Sequence, residues 1–370
     1  VAWRVIQGNA FEELKKLEPE SVHCCITSPP YWGLRDYKTI PQVWNGDPKC
    51  EHEWSNEIVE RKRGSLYGKN AQVGNTRSGV SGTEVHQGQF CRRCGAWLGE
   101  LGLEPILELY VQHLVEIFRE VRRVLRKDGT LWLNLGDCYA GSGKGSGGYG
   151  PLQKTNKGSY HERSEFYGLV PIGLKLKDLI GIPWRVAFAL QADGWYLRSD
   201  IIWAKPNAMP ESVKDRPTKA HEYIFLLAKS KQYFYDADAI REPISVMLHA
   251  PGWKMFDEGL KRCDRTPNSE AINRIWGNSL GRNKRSVWWV ATETYPKAHF
   301  ATFPEKLVEP CILAGCPPNG VVLDPFAGSG TTLAVAERLG RHSIGIELNP
   351  QYVELIKKRM AKVQWPLIAI

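Results

Sequence analysis

The sequence predicts an α/β fold built on a doubly wound, mostly parallel sheet, and three observations carry that expectation. Short β-branched and aromatic runs recur at Val22 to Thr27, Thr130 to Leu135, Tyr196 to Trp203, His221 to Ala228, Val321 to Leu323 and His342 to Ile346, each bounded by turn residues. Amphipathic spacing lies between several of them, clearest over Leu107, Val111, Leu114, Phe118, Val121 and Leu125. Strands that alternate with helices in this way pair in parallel and carry helices on both faces.

With 370 residues, the chain is expected to form one large core carrying insertions rather than a string of modules. That core takes residues 1–40, 100–242 and 298–370. Residues 41–99 are polar and glycine-rich and read as an insertion with little regular structure of its own. Residues 141–168, rich in Gly, Ser and Lys, read as a surface loop, and residues 243–297, which mix Arg, Lys, Asn and Trp, read as a recognition lobe.

Hydrophobic residues make up 42% and charged residues 24%, with no apolar run long enough to span a bilayer, so no membrane role is expected. Trp3-Arg4-Val5-Ile6 reads as a buried strand rather than a signal peptide, so a cytoplasmic location is expected. In that compartment the nine cysteines are core thiols or metal ligands rather than bridges. The net charge of +9 suits a polyanionic partner.

Val321 to Thr332 runs as an apolar strand, a tight turn containing Gly328 and Gly330, and a helix start. Such a turn lets the backbone approach a ligand closely and offers free helix N–H groups to it. Glu347, ending the next strand with Asn349 beyond, suits two ribose hydroxyls. A P-loop is excluded, because Cys138 stands where its first glycine belongs and Gly145 replaces the hydroxyl residue after Lys144.

Asp324-Pro325-Phe326-Ala327-Gly328-Ser329-Gly330-Thr331 closely resembles the cofactor signature of the amino-methyltransferase family. Thr27-Ser28-Pro29-Pro30-Tyr31-Trp32, directly after a strand, resembles its catalytic segment. The catalytic segment precedes the cofactor segment, an order similar to the β class of DNA amino-methyltransferases, with its permuted Rossmann-like methyltransferase fold. The resemblance implies S-adenosylmethionine as cofactor, bound by Asn9, Ala10, Phe303, Pro304, Asp324, Phe326, Gly328, Ser329, Gly330, Thr331, Glu347 and Asn349. It implies Ser28, Pro29, Pro30 and Tyr31 as catalytic residues. In that mechanism the Ser28 side chain and the Pro29 carbonyl accept hydrogen bonds from an exocyclic amino group, and Tyr31 stacks on the flipped-out base. Leu131 to Asp137 and Ser199 to Asn207 look like the strands flanking that base.

Serine at position 28 resembles the cytosine-N4 enzymes, with adenine N6 as the alternative; an RNA base methyltransferase or a silent DNA-binding protein are further readings. Double-stranded DNA is the implied partner, a cognate restriction enzyme a further one, and the implied setting is prokaryotic or viral. The Pro310-Cys311 pair is not the nucleophile of a C5 enzyme, because it lies ahead of the cofactor turn, and Cys311 reads as a core thiol.

Cys50, His52, Cys91 and Cys94 supply two close ligand pairs for a structural Zn2+, of which the Cys-x-x-Cys-Gly half suits a zinc knuckle and the Cys-x-His half is less regular, with His86 as a competing ligand. An insertion this polar would gain stability from the metal. Arg92, Arg93 and the Arg61-Lys62-Arg63 run would then be placed to meet phosphates.

Overall fold

A computed structural model describes residues 2–33, 37, 39–55, 89–141, 170–171, 173–243, 281–293 and 304–363. The recognition lobe from 244 to 280, most of the 141–168 loop and Phe303 lie outside the described residues.

Among the described residues, eight strands form the main sheet: β1 (Trp3–Gln7), β2 (Val22–Thr27), β7 (Leu125–Leu135), β8 (Tyr196–Ala204), β9 (His221–Ala228), β10 (Val287–Trp289), β11 (Val321–Asp324) and β12 (His342–Glu347). Their order is β1-β12-β11-β2-β7-β9-β8-β10, and β9 alone runs against its neighbours. From β11 the chain moves outward to β12, whereas from β2 it moves the other way to β7. The direction therefore reverses between β11 and β2, where open α/β sheets hold ligands at the strands' carboxyl ends.

Helices α1 (Ala10–Lys15), α2 (Leu107–Val124) and α3 (Ile182–Ala192) join one hydrophobic core with Cys25, Leu131 and Leu133. Helices α4 (Glu305–Gly315) and α5 (Thr331–Arg338) join a second core with Cys24, Ile26 and Trp132. Because Cys24 to Thr27 of β2 and Thr130 to Leu135 of β7 are covered on both faces, successive side chains there all lie inside, which is why these stretches read as largely apolar runs. Helix α6 (Pro350–Met360) packs with Ala327 and Leu333 beside β1.

The helix expected over 107–125 is present almost to the residue. Helix α3 carried little periodic signal. Its N-terminus is instead fixed by Asp137, whose carboxylate accepts from Gly181 N at 3.0 Å and Ile182 N at 3.1 Å.

The insertion differs from expectation. Its described residues, 41–55 and 89–99, carry an antiparallel sheet in the order β3 (Gln42–Trp44), β6 (Trp97–Gly99), β5 (Gln89–Cys91) and β4 (Trp54–Ser55), where little regular structure was expected. Its buried Trp44 and Trp97 belong to the main core, where they stack on the imidazole of His113 at 4.7 and 5.4 Å between centroids. Aromatic residues beside the cysteine pairs supply the apolar area that overall polarity concealed. Among the described residues no helix is long and apolar enough to cross a membrane.

Candidate active site

The carboxyl edge of the sheet collects most of the residues singled out in the sequence. Reading across it, Asn9 follows β1, Glu347 ends β12, Asp324 ends β11, Thr27 and Ser28 close β2, and Asn134 lies near the end of β7. Because β9 runs antiparallel, its first residues, His221 and Glu222, reach the same edge, beside Lys205 at the end of β8.

The two halves of this edge meet at Asp324, which is 4% exposed. Its carboxylate accepts from Thr27 Oγ1 at 2.7 Å, Thr332 Oγ1 at 2.8 Å and the Phe326 backbone N–H at 3.1 Å. Burial pushes its pKa up to about 6, partly offset by these three donors. Asp324 thus spends three of about four acceptor sites within the protein, and it sets the shape of the glycine turn.

Within that turn Gly328 and Gly330 have φ of +51° and +77°, conformations that favour glycine. Space beside Gly328 is open, since an added Cβ would find only the Phe326 carbonyl, 3.9 Å away. Glu347 accepts from Gly328 N and Asn349 N, both at 2.8 Å. A carboxylate has about four acceptor sites, so these two bonds leave it capacity for hydroxyl donors. Burial raises its pKa to about 7.

Ser329 and Thr331 are buried, and their hydroxyls accept from the Arg359 guanidinium at 3.2 and 3.0 Å. Arg359 also pairs with Glu305 at 2.7 Å, next to Pro304, the N-cap of α4. Asn9 and Asn349 cap helices α1 and α6, accepting from Phe11 N at 2.8 Å and Gln351 N at 2.9 Å. Ala10 is the buried first residue of α1. Cys311 is buried, and its thiol donates to the Leu307 carbonyl at 3.3 Å.

On the other half, Ser28 Oγ lies 3.2 Å from Asn134 Oδ1 and 3.3 Å from the Tyr31 hydroxyl. Tyr31 donates to Glu222 Oε2 at 2.7 Å, and Asn134 Nδ2 donates to the same oxygen at 3.2 Å. Lys205 Nζ closes the group by pairing with Glu222 Oε1. Burial, then the negative charge of Glu222, pushes the Tyr31 phenol well above its ordinary range, so it stays a donor.

The loop is clamped from behind: Tyr110 OH donates to the Pro30 carbonyl at 2.8 Å, and Trp32 Nε1 to the Glu104 carbonyl at 3.0 Å. The Tyr31 ring lies against Gly136, where an added Cβ would come within 2.5 Å of it. Asn134 and Lys205 sat within segments marked in the sequence, but Glu222 was missed. Only its place at the start of an antiparallel strand brings it here, which no local pattern reports.

In the insertion, Cys50, His52, Cys91 and Cys94 present ligand atoms that all lie within 4.8 Å of one another. Cys50 Sγ and Cys91 Sγ are 3.9 Å apart, and Cys94 Sγ and His52 Nδ1 3.4 Å. Two thiolates around a tetrahedral zinc, each at roughly 2.3 Å, would stand ~3.8 Å apart, so the set fits that ion.

The edge thus carries a glycine turn beside Glu347 on one half and the Ser28, Tyr31, Asn134 and Glu222 cluster on the other, and comparison with known proteins gives its class, a DNA methyltransferase. The DNA methylase family model N6_N4_Mtase matches residues 22–358. The Type II methyltransferase M.SmaI of Serratia marcescens is 40% identical over 359 residues, covering 97% of this chain and 91% of that protein. M.Cfr9I of Citrobacter freundii is 40% identical over 357 residues, covering 96% and 87%. Among solved structures, PvuII DNA methyltransferase (cytosine-N4-specific) shares the fold with a TM-score of 0.53 at 17% identity, covering 97% of this chain and 86% of that one. The chain belongs to the N6/N4 DNA methylase family.

Replacing Asp324 by Ala is expected to lower stability by roughly 3–5 kcal/mol, because it strands two buried hydroxyls and opens a cavity. Urea unfolding measures this, and a loss below ~1 kcal/mol would remove Asp324 as the tie between the halves.

Proposed function

We propose that this chain transfers a methyl group from S-adenosylmethionine to the exocyclic N4 of a flipped-out cytosine in double-stranded DNA. The observation that carries the reading is the acceptor character around Ser28, set beside the open glycine turn and Glu347 across the Asp324 tie. When bound, S-adenosylmethionine would supply an electrophilic methyl: the amino nitrogen would bond to its carbon, the S–C bond would break with its electron pair going to sulfur, and an amino proton would pass to solvent.

An exocyclic amino nitrogen is a poor nucleophile because its lone pair is delocalised into the ring. Ser28 Oγ and the Pro29 carbonyl would accept its two N–H bonds and turn that lone pair toward the methyl. Pro30 stiffens the turn, and the Tyr31 ring would stack on the base, offsetting part of the roughly few kcal/mol that flipping costs. On the cofactor side, Glu347 would accept the ribose hydroxyls. Residues 328–331 would bring backbone close to the methionine end, and Asn9, Ala10, Phe326, Asn349 and the Phe303-Pro304 segment would border the rest. Serine at position 28 and the cytosine-specific fold relative favour N4 over N6. Residues 243–297 would select the sequence, and the Type II relatives suggest a restriction partner.

The cysteine–histidine set would hold a structural zinc. Its influence would reach the catalytic loop through a run of contacts: Trp97 and Trp44 stack on His113, and His113 Nδ1 bonds Glu104 at 2.9 Å. Glu104 accepts from Gly102 N at 2.8 Å, and Gly102 O accepts from Gly33 N at 2.8 Å.

Incubation with unmethylated DNA and methyl-labelled S-adenosylmethionine, then nucleoside mass spectrometry, is expected to yield N4-methylcytosine, with transfer lost in Ser28→Ala. Labelled N6-methyladenine would overturn the choice of base, and undiminished transfer by Ser28→Ala would remove that residue from the mechanism.

Glu347 gives a pH dependence of definite sign. Its pKa rises from 4.5 to about 7, so protonation favours the folded apo-protein, and that stability is lost as pH climbs through about 7. Cofactor affinity runs the other way, since hydroxyl acceptance needs the carboxylate. The dissociation constant should weaken about tenfold from pH 8 to pH 6, and calorimetry on Glu347→Gln should find this difference abolished.

Metal analysis should find one zinc per chain, reduced to near zero in Cys91→Ser. Chelation should depress methyl transfer more than cofactor binding, and equal activity with and without metal would confine the ion to the insertion.

A further inference from the structure

We propose that Glu222 is a positioning residue for methyl transfer: it sets the direction of the hydrogen bonds around Ser28, so that the serine oxygen meets the target amino group purely as an acceptor. The proposal rests on the role given to Ser28 above.

A carboxylate has no proton to give, so every group bonded to Glu222 must donate to it. Its Oε2 takes the Tyr31 hydroxyl at 2.7 Å and one Asn134 N–H at 3.2 Å. Asn134 Nδ2 spends its other proton on the Tyr223 carbonyl at 3.0 Å. With both amide protons directed to β9, Asn134 Oδ1 must face the catalytic loop. It stands 3.2 Å from Ser28 Oγ as an acceptor, and the serine proton is drawn onto it. The single Tyr31 proton has two acceptors, Glu222 Oε2 at 2.7 Å and Asn134 Oδ1 at 2.9 Å, both nearer than Ser28 Oγ at 3.3 Å, so nothing in this group donates to Ser28. Its lone pairs are left for the incoming amino group.

The simpler reading is that Glu222 serves only as the counter-ion of Lys205, holding β8 to β9. That accounts for Oε1 and leaves Oε2 unexplained, which is the oxygen that gathers both donors of the site. In a Glu222→Gln variant the new amide can donate, and Asn134 is free to turn its nitrogen toward Ser28. The serine would then accept from Asn134 and aim its own proton at the substrate, donor against donor.

Side-chain shape barely changes in Glu222→Gln, so the signature is kinetic. Turnover should fall by about tenfold or more, while the KM for S-adenosylmethionine and the dissociation constant for DNA stay within about twofold of wild type. Glu222→Asp, which keeps the carboxylate, should retain more activity than Gln. The double variant Lys205→Met/Glu222→Gln, which removes the charge imbalance, should stay as slow as Glu222→Gln alone.

Recovery in the double variant would overturn the proposal in favour of the counter-ion role. So would a Glu222→Gln turnover within about threefold of wild type, or a loss confined to DNA binding. Total methyl incorporation is the readout, so a product other than N4-methylcytosine corrects the target base and leaves the test of Glu222 intact. A wild-type protein that methylates no DNA overturns both readings.

Discussion

Thr27 and Asp324 stand 297 residues apart in the chain, yet the hydroxyl of one and the carboxylate of the other meet at 2.7 Å in a site closed to water. The same carboxylate holds Thr332 at the head of α5 and the Phe326 backbone, so one side chain fixes the end of β2, the end of β11 and the turn between β11 and α5. In a low-dielectric interior such a group is costly unless its lone pairs are used, and here three donors use them. Removing it would loosen the glycine turn and leave it out of register with the Ser28 loop. A transfer reaction tolerates little of that, because displacements near 1 Å between the reacting groups already cost much of the rate.

The fold was legible because its central strands are buried on both faces. Cys24, Cys25 and Ile26 or Leu131, Trp132 and Leu133 must all be apolar, which leaves a clear mark in the sequence. The glycine turn was legible because positive φ at 328 and 330 calls for glycine, and the Ser-Pro-Pro-Tyr loop because two consecutive prolines directly after a strand resemble a known catalytic segment. Asn134, Glu222, Arg359 and Glu104 left no such mark. They are polar residues whose meaning comes from partners brought by other strands and helices. His113 was hidden differently, as one polar residue on the apolar face of an amphipathic helix. Its position makes sense only once two tryptophans of the insertion stack against it.

That sandwich also changes how the insertion is understood. A polar segment with two pairs of ligands suggests an appendage held together by metal alone. Instead its tryptophans complete the main core, and the buried Glu104–His113 pair beneath them supports the backbone behind Pro30 and Trp32. The insertion therefore shares its stability with the loop that carries Ser28, and disturbance of either will be felt by the other.

The order of strands has a consequence for how such a chain is made. On a ribosome, β1 and β2 emerge long before β11 and β12, with which they pair; the Ala2 to His342 contact at the sheet's edge spans 340 residues. Until then the nascent protein carries β2 with one side unpaired and β1 with no partner. Such open edges invite chaperones and mispairing. Synthesis can thus assemble the Ser28 side early, but the molecule becomes a single cooperative body only after its C-terminal strands arrive.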